Sequence, residues 1–432
     1  MSEMSRRNFL KNAAVGALGM TVLGAVASAE GTTEEVVGQK AYLGGFDLVK
    51  NNATVDPASI SGNADTLVMK SVSAVPLSTF KTSPVAMPKI TLNGVRSTTT
   101  DDELRFAKQM GINAVELSFT DDELDDFEAM KALVARVRNF EHGGFDILMC
   151  TNGKIQKCTS IHLALDDREY WIERTKTFMK NLAALQCDTM CIAWQPYGIS
   201  RSGGTPVMTN GAAFSVSNVE AVLDKPLKGD RLYTQEEMWE TYEYFIQAIM
   251  PTCKETGVRI AIHPNDPPVP YLDGIGSLII SMDDYRRAFE VAAKYGDDGE
   301  KKYIGAKLCL GCATEGGVSF SKNLLADIDW MVRSGHLFQI HFRNVTAPLD
   351  ADYSGYFEEC LAQDGYADMY ALMKQLIKSG FNDSFFCDHS WSEKDHETQL
   401  ITGTITKAVS NSWIMGLLYA ARTQVGYELT GV

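Results

Sequence analysis

Four short, strand-like segments late in the chain each end in a side chain that can bind a metal ion. These residues are His263, Cys309, His341 and Asp388. If the four strands end at one edge of a sheet, imidazole, thiolate and carboxylate groups meet at one point. Imidazole and thiolate ligands favour a borderline divalent cation over magnesium. The four segments therefore predict a divalent metal site.

Residues beside these four add further chemistry. Arg343 lies two positions after His341, so both side chains point to the same side of an extended strand. Its guanidinium is a candidate for clamping a substrate carboxylate with two hydrogen bonds. His389 follows Asp388 directly, at the end of the same predicted strand. Cys312, three residues after Cys309, is an alternative ligand, and each of these residues taken alone is typical of ordinary packing.

The segment after His263 is rich in proline, with four prolines between Pro264 and Pro270. Proline restricts the loop, so little conformational entropy is lost when a metal or substrate binds. Within it, Asn265 and Asp266 are candidates for substrate binding or for orienting the histidine. The alternative interpretation is a proline-braced turn with an Asx cap.

An alternation of strand-like and helical patterns begins at residue 89 and would position these groups. The predicted strands are Lys89–Leu92, Ala114–Phe119, Phe145–Cys150, Thr189–Trp194, Arg259–His263, Ala306–Leu310, Phe338–Arg343 and Ser384–Asp388. The predicted helices include Asp101–Gln109, Asp126–Arg138, Asp167–Leu185, Thr234–Thr256, Met282–Lys294, Lys322–Ser334 and Met369–Ser379. Eight such repeats predict a (β/α)8 TIM barrel, whose chemistry is found at the carboxyl ends of the strands. A doubly wound sheet is the alternative, although no G-x-G-x-x-G follows the first strand.

One loop of the predicted barrel is much longer than the others. It follows the fourth strand, from Gln195 to about Leu232, and is rich in Gly, Ser, Thr, Asn and Pro. A loop of this length is typical of a lid or a substrate-binding segment, and a decorative insertion is the alternative. Arg201, near its start, is a candidate for substrate binding.

The chain begins with a predicted export signal. A twin-arginine motif at Arg6-Arg7, an apolar run and the small-residue site Ala27-Ser28-Ala29 predict a Tat signal over residues 1–29. The Tat export machinery is thus a predicted partner, with a periplasmic or other extracytoplasmic location. The apolar run is short and rich in Gly and Ala, so no stable membrane span is predicted. Residues 30–88 are predicted to form an N-terminal arm, and residues 89–432 the barrel domain.

The composition of the chain limits the kinds of molecule that it is expected to bind. The chain carries a net charge of −15, which argues against nucleic acid and anionic membranes as partners. A small anionic substrate is compatible, because a metal or local arginines can invert the field within a cleft. The nine cysteines are odd in number and several lie in apolar runs, so buried thiols are predicted rather than a disulfide framework. The sequence leaves open whether the protein forms a homo-oligomer.

Several of these segments resemble the mannonate dehydratase family. The motifs that carry the resemblance are Ile262-His263-Pro264-Asn265-Asp266-Pro267-Pro268, Leu308-Cys309-Leu310-Gly311, Ile340-His341-Phe342-Arg343-Asn344 and Cys387-Asp388-His389. The resemblance implies a xylose-isomerase-like TIM barrel that removes water from a sugar acid with Mn²⁺, or with Fe²⁺, Co²⁺ or Zn²⁺. It implies His263, Cys309, His341 and Asp388 as ligands and His389 as a catalytic residue. Asn344, within the same motifs, is a further candidate for substrate binding.

The predicted function is therefore a metal-dependent lyase that eliminates a β-hydroxyl from a sugar acid or related oxidised sugar after removal of the α-proton. Two alternatives stay open. One is a xylose-isomerase-like sugar isomerase or epimerase, which shares the α-proton step. The other is an exported sugar-binding protein with a degenerate site. The family has a catalytic tyrosine in the last helical region, where this chain reads Ala408–Ile414 without a tyrosine.

Overall fold

The computed structural model of the chain describes residues 85–203, 214–391 and 403–430. The predicted signal, residues 1–29, lies outside this part, as does the predicted arm apart from residues 85–88. These four residues contact the barrel: Arg422 Nε donates to the Ala86 carbonyl oxygen at 2.9 Å, and the Met87 amide donates to Asn382 Oδ1 at 2.8 Å. The domain boundary predicted at residue 89 stays a prediction.

Eight parallel strands close into a barrel, as predicted. In chain order the strands are β1 Lys89–Val95, β2 Ala114–Phe119, β3 Asp146–Asn152, β4 Thr189–Ala193, β5 Val216–Asn218, β6 Arg259–His263, β7 Tyr271–Leu272, β8 Ile275–Gly276, β9 Ile304–Cys309, β10 Leu337–His341, β11 Asn344–Val345, β12 Tyr356–Cys360 and β13 Ser384–Phe386. The barrel order is β1-β2-β3-β4-β6-β9-β10-β13, with β13 paired to β1. All eight run parallel, so their carboxyl ends share one rim of the barrel.

Helices surround the barrel and link its strands. In chain order they are α1 Asp101–Gln109, α2 Phe127–Arg138, α3 Gly153–Gln156, α4 Thr159–His162, α5 Arg168–Ala184, α6 Val219–Leu223, α7 Gln235–Thr256, α8 Met282–Lys294, α9 Leu310–Phe320, α10 Leu324–Arg333, α11 Met369–Ser379 and α12 Gly403–Thr430. Two of them begin with a capping box, formed by Thr100 with Glu103 and by Thr234 with Glu237. Such a box satisfies two otherwise unpaired amide groups and fixes where the helix starts.

The structure differs from the prediction after the sixth barrel strand. The predicted strand Ala306–Leu310 ends one residue earlier, and α9 begins directly at Leu310. This apolar, glycine-containing run gave no helix prediction, although most of its residues are buried. Because Cys309 is both the last residue of β9 and the N-cap of α9, its position is fixed from two sides.

The long predicted loop after β4 carries structure of its own at its far end. There β5 pairs with β12, which in turn pairs with β11, in a three-stranded antiparallel sheet. β11 begins three residues after β10 ends, so this sheet adjoins the rim where the predicted site lies. Residues 204–213 of the loop lie outside the described part, and its predicted role as a lid stays a prediction.

The prediction of buried thiols is confirmed. All nine cysteines are free and buried, and none forms a disulfide. Across the described residues, no helix is both long and apolar enough to span a membrane.

Candidate metal centre

The four predicted ligands meet at the carboxyl rim of the barrel. His263 ends β6, Cys309 ends β9, His341 ends β10, and Asp388 follows β13 by two residues. One ligand atom from each lies within 4.8 Å of the others. Three of these strands are neighbours in the barrel order, and the fourth, β13, is paired to β10. The parallel topology thus brings together residues that are up to 125 positions apart in the sequence.

The donor atoms face one another directly. His263 Nε2 lies 3.2 Å from His341 Nδ1, which lies 3.1 Å from Asp388 Oδ1. Cys309 Sγ lies 3.6 Å from Asp388 Oδ2. His263 Nδ1 lies 2.7 Å from the Pro264 carbonyl oxygen, an acceptor that holds the proton on Nδ1. The lone pair of His263 is therefore on Nε2, the nitrogen that faces the cluster.

The Cys309 thiol is prepared for ionisation. Burial alone would raise its pKa, but a hydrogen bond from Cys312 and the charge of Arg343 hold the pKa of Cys309 well below its usual range. The amide nitrogen of Cys312, in the first turn of α9, lies 3.3 Å from Cys309 Sγ. Thiolate, rather than thiol, is the form that binds metals.

Of the other three donors, His263 and Asp388 are held in the form that binds a metal, whereas the pKa of His341 is shifted the other way. Burial lowers the pKa of His263, which favours a neutral imidazole. Burial would raise the pKa of Asp388, but His341 and His389 hold it well below its usual range. Burial would lower the pKa of His341, but the Asp388 carboxylate raises it. A site with two imidazoles, one thiolate and one carboxylate fits a divalent cation of the Mn²⁺ to Zn²⁺ series.

Arg343 lies among carboxylates of the protein itself. Its Nε donates to Asp388 Oδ2 at 2.7 Å, its Nη1 to Glu315 Oε1 at 2.6 Å, and its Nη2 to Asp266 Oδ2 at 3.1 Å. The side chain is buried and all three nitrogens are engaged by the protein's own carboxylates. In this arrangement Arg343 orients Asp388, and its predicted role as a clamp on a substrate carboxylate stays a prediction.

Gly311 allows this approach of Arg343. A Cβ built on Gly311 would lie 2.2 Å from Arg343 Cζ, far inside van der Waals contact. Glycine is needed here because the guanidinium lies against the backbone of α9, not because of an unusual φ.

Replacing Gly311 by alanine is expected to displace Arg343 and to weaken metal binding by roughly 10- to 100-fold, the cost of losing a group that orients a ligand. Isothermal titration of the metal-free protein measures this. Gly153→Ala is the matched control, because a Cβ there meets nothing within 4 Å. Equal metal affinity in both variants would show that Arg343 does not orient Asp388.

Arg201 also lies in a network of buried acids rather than in an open pocket. Its Nη1 lies 2.5 Å from Asp266 Oδ1, and its Nη2 donates to Glu359 Oε1 at 2.7 Å. Asp266, the predicted substrate-binding residue, thus joins both arginines, and despite burial they hold its pKa below the usual range. Both side chains are engaged by charged partners of the protein itself, and the predicted roles of Arg201 and Asp266 in substrate binding stay predictions.

Asn265 and Asn344 hold neighbouring backbone segments together, and their predicted role in substrate binding stays a prediction. Asn265 Oδ1 accepts from the amides of Leu278 and Ile279, and its Nδ2 donates to the Trp194 carbonyl oxygen. Asn344 Nδ2 donates to the carbonyl oxygens of Ala362 and Ala367. Both side chains are buried, and their hydrogen-bonding capacity is used by backbone groups.

Cys312, the alternative ligand, belongs to a second group of donors. Its thiol lies with Asp266 and Glu315 in a buried set whose donor atoms are within 4.8 Å of one another. The Arg343 guanidinium already neutralises this set, with Nη2 3.6 Å from Cys312 Sγ. The second group is therefore less suited to a cation than the first.

His389 lies beside the four donors. Its Nδ1 lies 2.8 Å from Glu359 Oε2, and its side chain is 32% exposed at the rim. Burial alone would lower its pKa, but the carboxylates of Asp388 and Glu359 raise it to about 9. The imidazole is thus held in the protonated form that can donate a proton.

Sequence reasoning missed the acids that support the site. Glu315 on α9 and Glu359 on β12 are buried, and burial raises the pKa of Glu315 to about 8. Inside the barrel, Lys307 Nζ donates to Glu116 Oε2 at 2.9 Å. The available signal was a charged residue within an apolar strand or helix, as at Glu116 and Lys307. Tyr419, on α12, is 55% exposed and does not replace the tyrosine missing from Ala408–Ile414.

Comparison with known proteins shows which family the chain is similar to. The sequence model of the D-mannonate dehydratase (UxuA) family matches residues 219–426, which include all four donors. Over this segment, which is less than half of the chain, the protein is similar to the mannonate dehydratase family. The resemblance predicted from the sequence motifs is thereby confirmed.

Two curated mannonate dehydratases illustrate the extent of the similarity. The one from Brachyspira hyodysenteriae is 31% identical over 188 residues, which is 42% of this chain and 47% of that protein. The one from Streptococcus suis is 28% identical over 290 residues, covering 60% of this chain and 74% of that protein. This chain thus aligns with about half the length of the Brachyspira protein and about three quarters of the Streptococcus protein.

A solved structure supports the fold. The crystal structure of mannonate dehydratase from Streptococcus suis serotype 2 superposes with a TM-score of 0.65 and 22% sequence identity. The superposition covers 79% of this chain and 97% of that chain. The similarity of fold therefore extends beyond the segment that the family model matches.

Proposed function

We propose that this chain is a metal-dependent hydro-lyase that dehydrates a sugar acid. The observation that carries the proposal is the meeting of His263, Cys309, His341 and Asp388 within 4.8 Å at the rim of the barrel. The reaction removes the proton α to a carboxylate and expels the β-hydroxyl as water. The rim must therefore bind a polyhydroxylated anion and provide proton-transfer groups close to it.

The proposed cofactor is one divalent cation held by these four residues, with Mn²⁺ preferred. When bound, it would stabilise the negative charge that develops on the substrate's carboxylate and α-hydroxyl as the α-proton leaves. The protein contributes the orientation of the ligands. Arg343 fixes Asp388 from behind, the Pro264 carbonyl oxygen fixes His263, and the first turn of α9 fixes Cys309.

His389 is the proposed donor of the proton to the leaving hydroxyl. It lies at the exposed edge of the site and is held by Glu359 on β12, which packs beside the rim. General acids of this kind contribute roughly 100- to 10,000-fold to a rate. We also propose that the protein works after Tat export, outside the cytoplasm, so that its substrate is an extracytoplasmic sugar acid or oxidised sugar.

Incubation of the Mn²⁺-loaded protein with a panel of aldonates, uronates and oxidised glycosides in D2O tests the proposal. We expect at least one aldonate to lose water, giving a 2-keto-3-deoxy acid that NMR detects. Uptake of deuterium at the α-carbon without loss of water would instead mark an isomerase or epimerase. A thermal shift with a sugar acid, but neither reaction, would mark a binding protein.

A further inference from the structure

The turn after β3 brings a lysine to the rim. β3 ends at Asn152, α3 follows immediately, and Lys157 comes directly after α3. In the closed order of eight strands, β3 and β10 are four places apart in either direction. Lys157 therefore rises from the side of the rim opposite His341. This turn lies outside residues 219–426, the segment matched by the family model.

The backbone that carries Lys157 is well anchored. Asn152 Oδ1 accepts from the amides of Lys154 and Ile155, each at 3.0 Å, while its Nδ2 donates to the Phe119 carbonyl oxygen at 3.1 Å. Gln156 Nε2 lies 3.5 Å from Cys191 Sγ on β4. These contacts fix the turn against two neighbouring strands, so its lysine is held at the rim.

The surroundings of Lys157 are acidic. Its amine is half-buried, and the titratable groups that act on it are Asp266, Cys191, Asp388 and Cys312. Asp266, Cys312 and Asp388 all contact Arg343, and Asp388 also belongs to the four-donor cluster. Lys157 thus faces the candidate site rather than bulk solvent.

Lys157 differs from the other cations around the site. Within residues 85–203, 214–391 and 403–430, its side chain makes no hydrogen bond or ion pair. Arg201, Arg343 and Lys307 are each engaged by at least one buried carboxylate. A half-buried amine that faces a ligand cluster without a partner of its own is available to a substrate.

We propose that Lys157 is the base that takes the α-proton of the substrate, on the side of the site opposite His341. This rests on the proposed function, and it supplies the second proton-transfer group that the family's tyrosine would otherwise provide. Burial lowers the pKa of Lys157, which raises the fraction of free amine at neutral pH. Lys157, after β3, and His389, after β13, then reach the substrate from different parts of the rim, so one can take the α-proton while the other protonates the leaving hydroxyl.

The step balances without an oxidant or reductant. The bond between the α-carbon and its hydrogen breaks, the proton passes to Lys157 Nζ, and the electron pair moves into the carboxylate as an enediolate. The β carbon–oxygen bond then breaks, and the hydroxyl leaves as water with a proton from His389. Lys157 releases its proton to solvent, His389 regains one, and the enol product tautomerises to a 2-keto acid.

Lys157→Met tests the assignment in the Mn²⁺-loaded full chain. We expect kcat for elimination and the rate of α-deuterium exchange to fall together by about 100- to 10,000-fold, with KM and metal content little changed. Lys157→Arg should not restore either rate, because a guanidinium stays protonated. Lys154→Met is the matched control: Lys154 lies on the same turn but is exposed and paired with Asp121, and we expect wild-type rates.

Several outcomes separate this inference from the proposed function. Undiminished α-exchange in Lys157→Met would overturn the role of Lys157 while the lyase stands. A raised KM that Lys157→Arg repairs would also overturn it, since that pattern marks an anchor for a carboxylate. The wild type could instead exchange its α-hydrogen for deuterium without losing water, and Lys157→Met could abolish that exchange. This result would refute the lyase and support Lys157 as the base. Absence of both reactions in the wild type would overturn both proposals.

Discussion

Asp388→Ala is expected to empty the metal site and to abolish turnover. Asp388 contributes an oxygen to the four-donor cluster and is also the partner of Arg343 Nε and His341 Nδ1. Its removal takes away a ligand and the orientation of a second one. Loss of an orienting group alone costs roughly 10- to 100-fold in metal affinity, so we expect a larger loss here.

Metal content after dialysis, measured by plasma mass spectrometry beside circular dichroism, checks this result. The wild type and an Asp121→Ala control should retain about one metal per chain, because Asp121 is a partly exposed carboxylate paired with Lys154 elsewhere on the rim. Asp388→Ala should retain almost none while its far-UV spectrum stays that of a folded barrel. Full occupancy in Asp388→Ala would exclude Asp388 as a ligand.

Arg343→Met is expected to destabilise the fold by about 3–5 kcal/mol, the usual cost of removing one partner from a buried ion pair. Three carboxyl groups, from Asp388, Glu315 and Asp266, lose their shared guanidinium. Methionine fills a similar volume, so the loss reports on charge more than on a cavity. Some of the loss is offset as Glu315 takes up a proton, because burial already raises its pKa to about 8.

Urea unfolding of the metal-free proteins measures the difference. Arg333→Met is the control, because Arg333 forms an exposed ion pair with Asp329 at 2.9 Å, and such pairs contribute about 0–1 kcal/mol. A change in unfolding free energy no larger than that of the control would show that Arg343 does not hold the buried acids together. Arg343 would then be available again as the predicted clamp on substrate.

The barrel and its four donors were accessible from the sequence because two strong regularities combine. Alternating strand and helix patterns predict the closed parallel sheet. Because the strands are parallel, their last residues all lie at one rim of the barrel. The residues at the ends of four of these strands then predict a metal site. They are His263, Cys309, His341 and Asp388. No knowledge of side-chain contacts is needed for either step.

The contacts of the other candidate residues depend on partners that no local sequence pattern reveals. Arg343 meets Glu315 from α9, Asp266 from the loop after β6 and Asp388 from the end of β13. A sequence shows that an arginine stands near a site, but not whether its charge is already neutralised. In the same way, the sequence does not show which backbone groups Asn265 and Asn344 hold together.

Lys157 was overlooked because its sequence context looks like that of an ordinary surface residue. It follows a strand as the ligands do, but four residues of helix separate it from the strand end. Its segment carries no motif of the family, and a lysine in a turn is usually a solvated surface residue. Only the closed order of the strands shows that this turn lies opposite His341, and only the absence of a partner among the described residues distinguishes it from Arg201 and Lys307.

Anomalous diffraction from crystals grown with Mn²⁺ is the most direct measurement of the central claim. The account predicts one strong peak within bonding distance of His263, Cys309, His341 and Asp388, about 2.0–2.3 Å from each donor atom by analogy with zinc–nitrogen, zinc–oxygen and zinc–sulfur bonds. A peak bonded instead to Asp266, Cys312 and Glu315, or none at the four-donor cluster, would contradict it.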